Sequence, residues 1–214
     1  MSTLMEALHR LDELIQEKSS YLARCLQAGL TRTKIDEQIQ DFSWTLPEEL
    51  YEFYQWHNGL INEPNATGYS IESLKIKDKW QSDLSQANQI NVKYDNNLIA
   101  IKFPSLEYAL AGHNHLKLGQ CPLDLLPIFT CSNGNNQSYC IANLEREKFA
   151  IYFLNGTKLH PTKINEQFLS KQIKFNSLTD LVLFITSCCE HAVESSQEVD
   201  STVFELDKNV FERA

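Results

Sequence analysis

Trp44-Thr45-Leu46-Pro47-Glu48-Glu49-Leu50-Tyr51-Glu52-Phe53-Tyr54-Gln55-Trp56-His57-Asn58-Gly59 is the stretch whose reading sets the fold. Proline suits the first position of a helix, where its missing N–H would be unpaired anyway. Glu48 and Glu49 then sit at the positive end of the helix dipole. Leu50, Phe53 and Tyr54 fall on one face at helical spacing, and Asn58-Gly59 supplies a left-handed stop. The stretch reads as a short amphipathic helix entered at Leu46-Pro47.

Two further helices are predicted upstream. Leu4, Leu8, Leu11, Ile15, Leu22 and Leu26 paint one apolar stripe, with Gly29 as its stop. Thr33 and Asp36 form a capping-box arrangement ahead of a helix whose inner face holds Ile35, Ile39 and Phe42. Downstream the pattern changes. Residues 62–68 are turn-rich, 69–71 suit a short strand, and 72–97 suit partial helix anchored by Trp80. Leu98–Ile101 is strand-like, and 105–111 suits a short helix.

Leu125–Thr130, Tyr139–Leu144 and Phe149–Leu154 are short apolar runs separated by polar turns, including Asn133-Gly134 and Asn155-Gly156. Sequential strands joined this way pair antiparallel as a meander. Ser177 and Asp180 cap a closing helix with the stripe Leu178, Leu181, Val182, Ile185 and Cys189. Beyond it, Val203, Leu206 and Val210 keep the spacing of a short docking helix. Helices first, strands next and a closing helix define an α+β fold: N-terminal helices, an antiparallel β-sheet meander and a closing C-terminal helix.

The 214 residues suffice for one domain, and 43% hydrophobic with 22% charged residues is ordinary globular composition. Nineteen basic residues against 28 acidic ones give a net charge of −9, which argues against nucleic acid and anionic membranes as partners. The negative charge is concentrated. Residues 41–72 hold six acidic and no basic groups, and residues 194–214 hold six against two. Such segments are either solvated faces or a docking surface for a basic partner. Residues 1–20 lack an apolar signal core, so the cytoplasm is the expected compartment.

Six cysteines spread through such a chain read as reduced, buried thiols. His113, His115, Cys121 and Cys131 could be drawn as a zinc set, but no Cys-x-x-Cys pair supports one. No nucleophile elbow, phosphate loop or dinucleotide fingerprint occurs, so neither a cofactor, a metal nor a catalytic residue is assigned. Trp44 reads as a core anchor. Trp56 and His57, at the helix exit beside Asn58, suit either packing or contact with a partner.

The run Leu26-Gln27-Ala28-Gly29-Leu30-Thr31, then Ile35, then Trp44 through Gly59, resembles the N-terminal signature of the SUKH superfamily. That group includes fungal cell-wall-synthesis regulators and many bacterial proteins. Leu126-Pro127-Ile128, Tyr139–Leu144, Ala150-Ile151-Tyr152 and the closing Ser177-Leu178 helix extend the resemblance over about residues 26–192. Two features depart from it. Gly134-Asn135-Asn136 and Asn143-Leu144 stand where the family often carries Gly-Asp and Asp-Leu, and Asp124-Leu125 replaces a usual tryptophan. Asparagine keeps the turn hydrogen bond but loses the carboxylate.

The resemblance implies a non-enzymatic protein-binding module, immunity-like or regulatory, whose partner is a protein such as a basic toxin domain. Glu48, Glu49, Glu52, Trp56, His57 and Asn58 are the expected partner-binding residues. The expected organisation is a helical extension over 1–25, a SUKH-like domain over 26–192 and an acidic tail over 193–214. A small cytosolic hydrolase with a dispersed site is the alternative class.

Overall fold

The computed structural model describes residues 2–18, 20–60, 90–94, 97–133, 136–145, 149–155, 160–190, 193–194 and 203–206. The turn expected at 62–68, the strand at 69–71, Trp80, Gly134, Asn135, Gly156 and Val210 lie outside these residues.

Helices α1 (Thr3–Lys18) and α2 (Ser20–Cys25) open the chain. Leu4, Leu8, Leu11 and Ile15 of α1 are buried, as their spacing predicts. The apolar stripe does not carry the helix through Leu26, however. Leu26–Ala28 is a strand, β1, paired antiparallel with β2 (His57–Leu60), so that Leu26 lies beside Leu60 and Ala28 beside His57. Helical spacing is overridden here by a sheet partner thirty residues away in sequence, a tertiary effect that local pattern cannot report. Gly29 accordingly serves close approach rather than helix termination. A Cβ there would lie 1.7 Å from the carbonyl oxygen of Gln55.

Helix α3 (Arg32–Ile39) buries Ile35 and Ile39. Its cap is Thr31, whose hydroxyl accepts from the Lys34 N–H, and not Thr33, which lies inside the first turn. Helix α4 (Glu48–Trp56) begins one residue later than expected, with Pro47 at the N-cap, and buries Leu50, Tyr51, Phe53 and Tyr54. It stops at Trp56 because His57 becomes extended and enters β2. Gly59 does have positive φ (82°), but within that strand, where a Cβ would meet the Ser105 nitrogen at 2.4 Å.

Strands β3 (Ile90–Tyr94) and β4 (Asn97–Lys102) follow, then helix α5 (Leu106–Leu118), which is longer than its predicted span. β3 replaces helix expected over that part of 72–97. Strands β5 (Leu125–Asn133), β6 (Asn136–Asn143) and β7 (Ala150–Asn155) form the anticipated meander. After a short helix α6 (Glu166–Leu169), strand β8 (Ile173–Phe175) and the closing helix α7 (Leu178–Glu190), the chain adds β9 (Val193–Glu194) and β10 (Val203–Leu206). Val203 and Leu206 are thus in a strand and not in the expected docking helix, because β10 pairs in parallel with β3.

The sheet order is β8-β7-β6-β5-β4-β3-β10-β9, antiparallel from β3 through β8. Alternation along β6 divides the interior: Cys140 and Ala142 join the main core with α1, α3, α4, α5 and α7, while Ile141 joins a smaller cluster with Cys121, Leu154, Ile164 and Leu169. The chain is therefore α+β, with its helical layer over one sheet face and α7 packed on α1. Among the described residues, no helix is long and apolar enough to cross a membrane.

Candidate functional site

Each candidate residue on α4 and its exit has a defined partner. Glu48 is exposed and accepts from both terminal guanidinium nitrogens of Arg32, at 2.7 and 2.9 Å. This bidentate hydrogen bonding raises the Arg32 pKa and lowers that of Glu48. Arg32 also lies 4.1 Å above the Tyr51 ring, and Tyr51 donates its hydroxyl to Asp36. Burial, reinforced by that carboxylate, pushes the Tyr51 phenol up to about 12. Arg32, Asp36, Glu48 and Tyr51 thus form one charged edge where α3 meets α4. Sequence reasoning missed Arg32, Asp36 and Tyr51, because pairing across 16 residues leaves no local pattern.

Glu49 turns the other way. Its carboxylate accepts from the backbone N–H groups of Leu178 (2.9 Å) and Thr179 (3.3 Å) and from the Thr179 hydroxyl (2.9 Å). Ser177 accepts from Asp180 N–H at 3.0 Å. Three backbone N–H donors at the start of α7 are thereby satisfied, two of them by a different helix. Asn58 does the equivalent for α5: it is buried, and its Oδ1 accepts from Leu106 N–H at 2.8 Å. Its amide reaches Glu107 at 3.4 Å, and Glu107 also accepts from Gln38 at 2.8 Å.

Glu52, half-buried, accepts from the Ser2 hydroxyl at 2.6 Å. Trp56 stacks on Phe103, with ring centroids 5.8 Å apart, and meets His57 edge-on. The His57 Nδ1–H donates to the Gln27 carbonyl at 2.8 Å, and Nε2 sits 3.6 Å from Asp12 of α1. The six residues therefore divide. Glu48 and Glu52 present carboxylates on the outer side of α4, Trp56 and His57 are half-buried at its exit, and Glu49 and Asn58 fasten two other helices.

Two residues of the set drawn as a zinc site, His113 and Cys121, have other engagements. His113 is buried, with Nδ1–H donating to the Leu125 carbonyl at 3.0 Å and Nε2 accepting from the Trp44 indole at 3.4 Å. Burial lowers its pKa, against a smaller opposing effect of the carbonyl. Cys121 points at the Ile164 carbonyl, and burial raises its thiol pKa. Among the described residues, no group of three or more His, Cys, Asp or Glu side chains could hold a metal ion.

A helical layer on an antiparallel meander, tied together by caps from a Leu-Pro-Glu-Glu helix and an Asn-Gly exit, defines an α+β domain with the Arg32–Glu48 pair on its outer side. The chain belongs to the SMI1/KNR4 family (SUKH-1), whose sequence profile matches residues 29–182, more than two thirds of its length. No curated protein sequence matches the chain.

Proposed function

We propose that the chain is a non-enzymatic, cytoplasmic protein-binding module, immunity-like or regulatory, that engages a basic protein such as a toxin domain. Membership of the SUKH-1 family over residues 29–182 carries this reading. The exposed side of α4 supports it. Glu48 and Glu52 offer carboxylates to a cationic partner, and the exposed Arg32–Glu48 pair is of a kind that contributes little to folding stability. An incoming arginine can therefore compete with Arg32 for Glu48, and complementary charge speeds encounter and excludes wrong partners. In this reading residues 26–192 form the binding domain, 1–25 a helical extension and 193–214 an acidic tail. Glu48, Glu49, Glu52, Trp56, His57 and Asn58 mark its contact region, with Glu49 and Asn58 acting by holding it in shape.

The test is affinity purification of the tagged full chain from its own cells at low and high salt, read by mass spectrometry. A stoichiometric basic protein, retained at low salt and lost at high salt, is expected. Recovery of the bait alone across growth conditions would count against the reading.

A further inference from the structure

The sheet tapers at both ends. Among the described residues its outermost strands are β8, three residues long, and β9, two residues long. Very short edge strands keep a sheet from pairing with another chain. β3 is different. Its five residues, Ile90-Asn91-Val92-Lys93-Tyr94, alternate apolar with polar and contain no proline, which suits a strand able to template new pairing. It is kept from the edge by β10, which runs parallel to it from Val203 beside Asn91 to Leu206 beside Tyr94. β10 is not a continuation of the meander. It is the strand that enters in parallel, it comes from beyond α7, and it lies outside the matched family span of 29–182.

We propose that the C-terminal segment is an edge guard: β10 occupies the β3 edge in cis, and when it is displaced the edge is taken by β3 of a second copy. Two identical strands pair antiparallel about a two-fold axis, the commonest symmetry of homodimers. Centred on Val92, that axis sets Ile90 beside Tyr94 and Asn91 beside Lys93, so no like charges stand opposite each other. The cis occupant holds an advantage over the second copy. The parallel register sets Glu205 beside Lys93, opposite in charge, and a tethered strand competes at high effective concentration.

The full chain carrying Phe204→Pro and Glu205→Pro tests this, since neighbouring residues of a strand bond to opposite sides and one of the two prolines removes a donor towards β3. Mass is measured by light scattering across a wide concentration range, alongside amide exchange of residues 90–94. The unchanged chain is expected to keep the mass of one chain. The variant is expected to double its mass as concentration rises, with the 90–94 amides exposed when dilute and protected when concentrated. A synthetic peptide of residues 199–210, added in excess, should return it to one chain. Should the prolines unfold the protein, Glu205→Lys in the full chain weakens the guard through like charge and is read the same way. A folded variant that keeps the mass of one chain at every concentration, an unchanged chain that associates as strongly, or a dimer that the peptide leaves intact overturns the proposal.

Discussion

Glu49 of α4 caps Leu178 of α7: a side chain from the signature helix accepts the first backbone N–H of a helix 129 residues further on. The same carboxylate takes the N–H and hydroxyl of Thr179, so one residue fixes how the closing helix meets the N-terminal layer. Glu49→Ala is expected to lower stability by about 1–2 kcal/mol, the usual range for a lost helix cap with a dipole contribution. Glu49→Gln, which keeps an acceptor but not the charge, should cost less. Urea unfolding of the three proteins checks the order, and equal midpoints would remove the capping role.

Gly59 is the second point of leverage. Its φ of 82° and the 2.4 Å separation between a built Cβ and the Ser105 nitrogen exclude a side chain twice over. Gly59→Ala should therefore destabilise by about 2 kcal/mol or more, whereas an unstrained glycine-to-alanine change stabilises slightly. Thermal melting of the purified variant measures the sign directly.

His113 gives a pH dependence with a definite direction. Burial holds its folded-state pKa below the ordinary imidazole value, so the folded chain keeps it neutral while the unfolded chain binds a proton below about pH 6.5. Its contribution is complete above that pH and is lost progressively as pH falls towards the lower folded-state value. Unfolding midpoints measured from about pH 7.5 down to pH 5 should fall less steeply in His113→Phe than in the unchanged chain, even though the variant starts lower. Parallel slopes would show that His113 does not titrate with folding.

The outer carboxylates should separate binding from folding. Glu48 is bonded to exposed Arg32, and Glu52 to the Ser2 hydroxyl, which caps α1 by accepting from the Met5 N–H. Glu48→Lys with Glu52→Lys is expected to lower the melting temperature only slightly, since Glu48 sits at the positive end of the α4 dipole, while weakening a basic partner roughly tenfold or more at low salt. Titration of the captured partner against both forms checks this, and unchanged affinity would dismiss the α4 face as the contact.

Much of the fold was legible because its signals are local. The Pro47-Glu48-Glu49 start, the Leu50, Phe53 and Tyr54 stripe and the runs that became β5, β6 and β7 depend on spacing and turn chemistry within a few residues. Two runs read as helix that became strands share one cause. Leu26–Ala28 left the helix for a strand at His57–Leu60, and Val203–Leu206 left a helical spacing for a strand beside Asn91–Tyr94. Both runs are too short for local preference to outweigh a distant sheet partner. The six candidate residues were named from local pattern, but their partners, such as Arg32 for Glu48 and Leu178 for Glu49, were not.

The sequence by itself determined the apolar faces of the helices, the meander, the charge distribution and the likeness to SUKH proteins, since these follow from residue type at short range. Only the tertiary structure decided that Glu49 and Asn58 hold α7 and α5, that Arg32 pairs with Glu48, and that Val203–Leu206 pairs with β3. A hydrogen bond or strand pairing needs a donor and an acceptor in the same place. Which residues meet across dozens of positions is set by how the whole core packs, not by any window of the chain.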